Sequence, residues 1–202
     1  MSILPEQAHD LGEENTRLKT ENQLLKRGVR KLQQSFHALF RLQASINQIT
    51  PNTDPIEVIN NILTCALEVV HAQNGCLMLL DKETNELVFV HVLGVAQQKL
   101  TGYRLPPNEG LASWVVGTQK PKLVLDIRKE PRFSPLVDQL SGSMITSLIC
   151  VPLVEKERSL GAIEVVNTTQ GQPFRQEHLD LMLLIALLAS RIIIRAEDSN
   201  SS

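Results

Sequence analysis

Leucine recurs at every seventh position through the first quarter of the chain: Leu11, Leu18, Leu25, Leu32 and Leu39, with Ile46 continuing the series. Taking these as heptad position d places Asn15, Asn22, Val29, Phe36 and Gln43 at a. An unbroken d column of this length predicts a coiled coil from Asp10 to Ile49, roughly 60 Å long at 1.5 Å per residue. A buried Asn finds a partner Asn only in a parallel, in-register pair. In that same pairing Glu14 and Glu21 at g face Lys19 and Lys26 at e of the second helix. The pattern therefore predicts a parallel homodimer. The alternative is one amphipathic helix packed on its own domain, although a globular helix rarely keeps a two-in-seven stripe for so long. Over the last two turns Phe40, Leu42, Ile46 and Ile49 widen the stripe, and there the helix is expected to dock on the domain C-terminal to it.

Residues 50–55 (Thr-Pro-Asn-Thr-Asp-Pro) break the pattern. Asp54 is suited to cap a new helix with Pro55 at its first position. Ile56, Ile59, Ile62, Leu63, Ala66, Leu67 and Val70 then predict a helix over about 55–72. Two apolar runs, 75–81 and 87–93, flank the polar turn 82–86 and predict a β-hairpin. Neither run alternates cleanly, so both faces of the sheet should be covered. A short helix over 111–117 ended by Gly117, a strand over 122–127 and a long polar loop over 128–144 come next. A second hairpin, 146–154 and 160–166 about the charged turn 155–158, leads to a last helix over about 176–196. This order predicts an α+β fold, with terminal helices on one face of an antiparallel sheet and the crossing segment 94–144 on the other, over a pocket.

Composition narrows the function classes. The 202 residues carry 20 basic and 22 acidic side chains, a net charge of −2, too balanced for a nucleic-acid coat or a membrane-surface protein. Glu6, Asp10, Glu13 and Glu14 against the single Arg17 rule out a basic-region zipper. With one Trp and one Tyr there are no stacking platforms for single-stranded nucleic acid. Cys65, Cys76 and Cys150 are irregularly spaced, which suits neither a disulfide framework nor a zinc knuckle but does suit a reducing compartment. The five histidines include no pair at ligand spacing, so no metal site is expected. The polar first fifteen residues are not a signal peptide, and the apolar stretch 181–190 is about half a membrane span. A cytoplasmic protein without membrane or nucleic-acid partners is expected.

Several stretches, in this order and with these gaps, resemble a GAF domain, the small-molecule sensor module of signalling proteins. They are 75–81, 105–117 (Leu-Pro-Pro-Asn-Glu-Gly-Leu-Ala-Ser-Trp-Val-Val-Gly) and 121–133 (Pro-Lys-Leu-Val-Leu-Asp-Ile-Arg-Lys-Glu-Pro-Arg-Phe), then 147–154 and 160–167 (Leu-Gly-Ala-Ile-Glu-Val-Val-Asn), with Phe174 ahead of the last helix. The resemblance covers about 55–196 and implies the same sandwich, with a ligand pocket opposite the terminal helices. The expected organisation is a coiled-coil dimerisation helix (1–50), a GAF domain (51–197) and a disordered tail (198–202). Cyclic-nucleotide-binding members carry an Asn-Lys…Phe…Asp-Glu signature. Here Asn167 and Phe174 match, but Thr168 replaces the Lys and His178 and Leu179 replace the acidic pair, so cyclic-nucleotide binding is not expected. Bilin-attaching members use Cys followed by His, and none of the three cysteines has it. No cofactor is expected.

Glu164 interrupts the apolar strand 160–166, and its carboxylate is a polar anchor in the pocket, a strand-paired group or part of a solvated patch. Leu111 and Ala112 open the short helix, whose free N–H groups can receive an anionic or carbonyl group. With Cys76, Met78, Val92, Trp114 and Phe133 they make up the expected ligand-binding set. A methionine sulfoxide reductase of this family would need an activated thiol, and residues 121–149, where one would be sought, contain no cysteine. The expected function is a non-catalytic dimeric sensor that binds an unidentified small molecule. Only five residues follow Glu197, so it is expected to signal through its helices to an unidentified protein in trans. The alternative is a structural or adaptor dimer whose pocket is filled by its own side chains.

Overall fold

The computed structural model describes residues 5–48, 55–133, 144–169 and 171–200. Helix α1 runs without interruption over Pro5–Gln48. The chain divides into two compact units, Met1–His37 and Ala38–Ser202. In the first, Leu11, Leu18, Leu25 and Leu32 are 50–68% exposed, and Val29 and Phe36 of the a column are exposed as well. The side chains of Leu42 and Ile46, and residues 49 and 54, on which the expected docking and helix cap rest, fall outside what the structure describes, as do 134–143 of the long loop.

The second unit continues with α2 (Pro55–Val70), β1 (Ala72–Leu80), β2 (Leu87–Leu93), α3 (Gln97–Leu100) and β3 (Arg104–Leu105). Then follow α4 (Gly110–Thr118), β4 (Lys122–Val124), a 3₁₀ turn over Ile127–Lys129, β5 (Leu148–Glu155), β6 (Arg158–Thr168) and α5 (Gln176–Asn200). The strands form one antiparallel sheet in the order β3-β2-β1-β6-β5-β4. Because side chains alternate along a strand, each strand of the central pair feeds two cores. Leu77, Ile149, Val151, Ile163 and Val165 face α2 and α5, where Ile62, Leu63, Ala66, Met182 and Ile185 close one layer. Met78, Leu148, Cys150, Ala162 and Val166 face the other way, under α3, α4 and the segments joining them. Both faces are covered, which is why neither hairpin alternates cleanly in sequence.

The hairpins are set by local chemistry. The Asp81 carboxylate accepts from the backbone N–H of Glu83 (3.0 Å) and Thr84 (3.3 Å), an Asx turn between β1 and β2. Arg104 then ties β3 to that turn through Asp81, Glu86 (2.6 Å) and the Thr84 hydroxyl (3.0 Å). Between β5 and β6 the connection is two residues, Lys156 and Glu157, both left-handed (φ 49° and 65°). Gly161 is required where β6 crosses β1, since a Cβ there would lie 2.0 Å from the Met78 carbonyl oxygen.

Two local expectations are corrected. Helix α4 ends not at Gly117 but at Thr118, capped by Gln119, left-handed at φ 55°, whose amide donates to the Glu157 carbonyl (2.8 Å). The strand expected to run to Ile127 stops at Val124, because Asp126 turns its carboxylate onto the Arg128 N–H (3.2 Å) and caps the 3₁₀ turn. The elements α3 and β3 are too short for any periodicity to announce.

Candidate functional site

Strand β6 pairs with β1 and β5 so that Glu164 stands directly between Cys76 and Cys150. The same row extends to Val92 on β2 and Lys122 on β4. It lies on the face away from α2 and α5. Next to Glu164 is a cavity of about 30 Å³. Strand β1 contributes Asn74 and Cys76 to it, β2 Phe89 and Val92, and β6 Glu164 and Val166. Ala96 and Leu100 cover it, and Ile145, just ahead of β5, closes one side. Asn74 also spans the rim, accepting the Val95 N–H at 3.1 Å.

Of the residues singled out from sequence, Cys76, Val92 and Glu164 line this cavity. Met78, Leu111 and Ala112 are buried in the same apolar layer beside it. Trp114 and Phe133 instead border a separate surface groove of about 640 Å³ with Ser113 and Arg132. The Arg132 guanidinium lies 4.8 Å from the Trp114 ring and the Lys122 ammonium 5.8 Å from it. Both cations also reach Glu130, at 3.3 Å each. Burial alone would raise the Glu130 pKa, but the Arg132 N–H and the two cations hold it below the usual range. Asn74, Phe89, Ala96, Leu100, Ile145 and Val166 were not among the residues expected from sequence. Asn74 and Val166 were within reach, two positions along their strands from Cys76 and Glu164. Phe89 was not, because a register shift in the β1–β2 pairing at Leu77/Met78 decides what it faces.

Glu164 is 9% exposed. Burial pushes its carboxyl up to about 7, and a hydrogen bond from the Cys150 thiol restrains the rise. Burial and the neighbouring carboxylate push both thiols well above their ordinary value, so Cys76 and Cys150 are protonated near neutrality. With β6 between them, their backbones stand about 9–10 Å apart, beyond disulfide reach of about 7 Å. Among the described residues no group of three His, Cys, Asp or Glu side chains could hold a metal ion. The site therefore offers one carboxyl group, half ionised near neutrality, in an apolar chamber.

Other polar side chains have structural employment. His91 faces α2, its Nε2 3.1 Å from Asn60 Oδ1, and partial burial lowers its pKa. Asn167, left-handed at φ 51°, accepts from the Thr146 N–H (2.8 Å) and hydroxyl (2.9 Å) and donates to the Met144 carbonyl (2.9 Å). It staples the approach to β5 in place. His178 Nδ1 accepts the Arg175 N–H (3.1 Å), which closes the first turn of α5, and its ring sits edge-on to buried Phe174.

The comparisons with known proteins agree with this architecture. The GAF domain family model matches residues 54–193. The dual 3',5'-cyclic-AMP and -GMP phosphodiesterase 11A of Takifugu rubripes is 34% identical over 68 residues, which is 33% of this chain and 8% of that protein. This chain thus spans a small fraction of that relative's length. The GAF domain of a phosphoenolpyruvate-protein phosphotransferase from Coxiella burnetii superposes with a TM-score of 0.69 at 18% identity, over 84% of this chain and 98% of that one. The free methionine-R-sulfoxide reductase of Neisseria meningitidis, solved with its substrate, gives 0.63 at 20% identity, over 83% and 90%. At these identities the structural likenesses speak for the fold alone. With the family model covering more than half of its length, and the sheet, helices and chamber arranged as described, this chain belongs to the GAF domain family, the small-molecule-binding signalling modules.

Proposed function

We propose that this protein is a dimeric, non-catalytic GAF sensor that holds a small molecule in the Glu164 chamber and signals through its helices to a partner protein in trans. The observation that carries the reading is Glu164 itself. A sheet needing only a packed core would place an aliphatic residue there, since a buried carboxyl without a cation destabilises the fold. A polar group kept in an apolar chamber under a thin cover is what a site for a small ligand requires. Protonated thiols too far apart to form a disulfide support a binding role over thiol chemistry. The leucine column on α1, its Asn positions and its complementary Glu and Lys flanks support a parallel homodimer. Among the described residues no helix is long and apolar enough to cross a membrane.

One observation favours the second reading, an adaptor with a filled pocket: the chamber leaves only about 30 Å³. Native mass spectrometry of the purified protein decides between them. The sensor reading expects a retained small molecule, or one captured from a metabolite mixture with a rise in melting temperature. A bare mass that no mixture shifts supports the adaptor.

A further inference from the structure

We propose that the ligand of this chamber is a small hydrophobic amine, one cationic nitrogen on a compact hydrocarbon body, seated with its ammonium group against Glu164. The inference rests on the ligand-binding reading above and names the ligand class. Its starting point is the charge inventory of the wall. Glu164 is nine-tenths buried, and no lysine, arginine or histidine lines the cavity among the described residues. The groups that face the carboxyl are the Cys76 thiol from β1 and the Cys150 thiol from β5. Neither is a cation. Lys122, next in the row on β4, is turned to Glu130 at 3.3 Å. A buried carboxylate is stabilised by a hydrogen-bonding cation, and here the molecule that enters must supply it.

The same inventory disfavours the opposite class. A carboxylate or phosphate would meet Glu164 with no positive group to offset it. Apart from Asn74, whose Oδ1 already accepts the Val95 N–H, the remaining wall (Phe89, Val92, Ala96, Leu100, Ile145 and Val166) offers hydrocarbon, so the rest of the ligand is apolar and small. The free space suits a single head group. The body enters by displacing the cover, which is thin: α3 has four residues and Val95 beside it is 68% exposed. Because Glu164 is partly protonated near neutrality, seating an ammonium group releases its proton to solvent. Binding therefore strengthens as pH rises through 7 and then levels off.

Three probes with the same branched five-carbon skeleton and different heads test this on the full chain: isoamylamine, isoamyl alcohol and isovalerate. Calorimetric titration should show isoamylamine binding at least about tenfold tighter than the alcohol, with isovalerate weakest. Repeated in buffers of different ionisation enthalpy, it should show a fraction of a proton released at pH 7 and little at pH 8.5. Glu164→Gln should erase the amine's advantage while leaving alcohol binding within about threefold. Isovalerate or the alcohol matching the amine, or no amine binding, would overturn the assignment, and the wild-type ranking decides this even if the variant misfolds. A retained molecule that is not an amine overturns this inference and leaves the sensor reading standing. A protein that retains nothing and takes none of the probes overturns both.

Discussion

Glu164 connects the sheet's register to a measurable property. Its carboxyl titrates near 7 when folded, against 4.5 ordinarily. As pH rises from 4.5, the unfolded chain releases this proton while the folded chain keeps it, so stability falls until the folded group ionises as well. The full loss above pH 7 is on the order of 3 kcal/mol. Glu164→Gln removes the ionisation. The variant should melt several degrees above wild type at pH 8, with most of the gap gone at pH 5; equal melting temperatures at pH 8 would show that water reaches the carboxyl. Asn167 is the second residue whose effect can be foretold. Alanine there deletes four hydrogen bonds to residues 144–147 and leaves a left-handed backbone without its favoured side chain. A loss of about 3 kcal/mol in denaturant unfolding should follow. The polar break at Glu164 was plain in the sequence. The work of Asn167 was not, since its partners lie twenty or more positions away.

At the scale of elements, the strands and long helices followed from hydrophobic period, and their ends did not. Helix α2, strand β2 and helix α5 lie within a few residues of where periodicity put them, because each must bury one continuous apolar face. Ends answer to single side chains: Asp126 stops β4, and Gln119 stops α4 by reaching Glu157. The β5–β6 turn holds two ordinary residues in a conformation that suits Asn-Gly. The double variant Lys156→Asn, Glu157→Gly should therefore raise stability by about 1 kcal/mol in urea titrations. For α1, the exposed column makes a sharper prediction. Leu18, Leu25 and Leu32 changed together to Lys should give a monomer by light scattering where the wild type is a dimer at tens of micromolar. A monomeric wild type would remove the coiled coil.

For the whole molecule, the question is how an event in the chamber reaches the helices. Glu164 sits on β6 between Ile163 and Val165, whose side chains pass to the other face and pack in the layer of α2 and α5. A shift in β6 therefore moves both layers, although a ligand can bias their packing only by its difference in affinity for two arrangements, typically about 1–3 kcal/mol. Hydrogen exchange should show protection on isoamylamine binding both in 94–118 and in α2 and α5. Protection confined to 94–118 would leave binding without transmission. Periodicity alone was enough for the α+β sandwich, the heptad column and the polar break at Glu164, because each is written in side chains that repeat or that break a repeat within one strand or helix; that this acid is buried was decided by the fold. Only the tertiary structure decided that Trp114 and Phe133 border a groove of their own while Asn74, Phe89, Leu100 and Ile145 enclose the chamber. That choice depends on pairing register and on where the crossing segment comes down, and both arise from contacts between residues far apart in the chain.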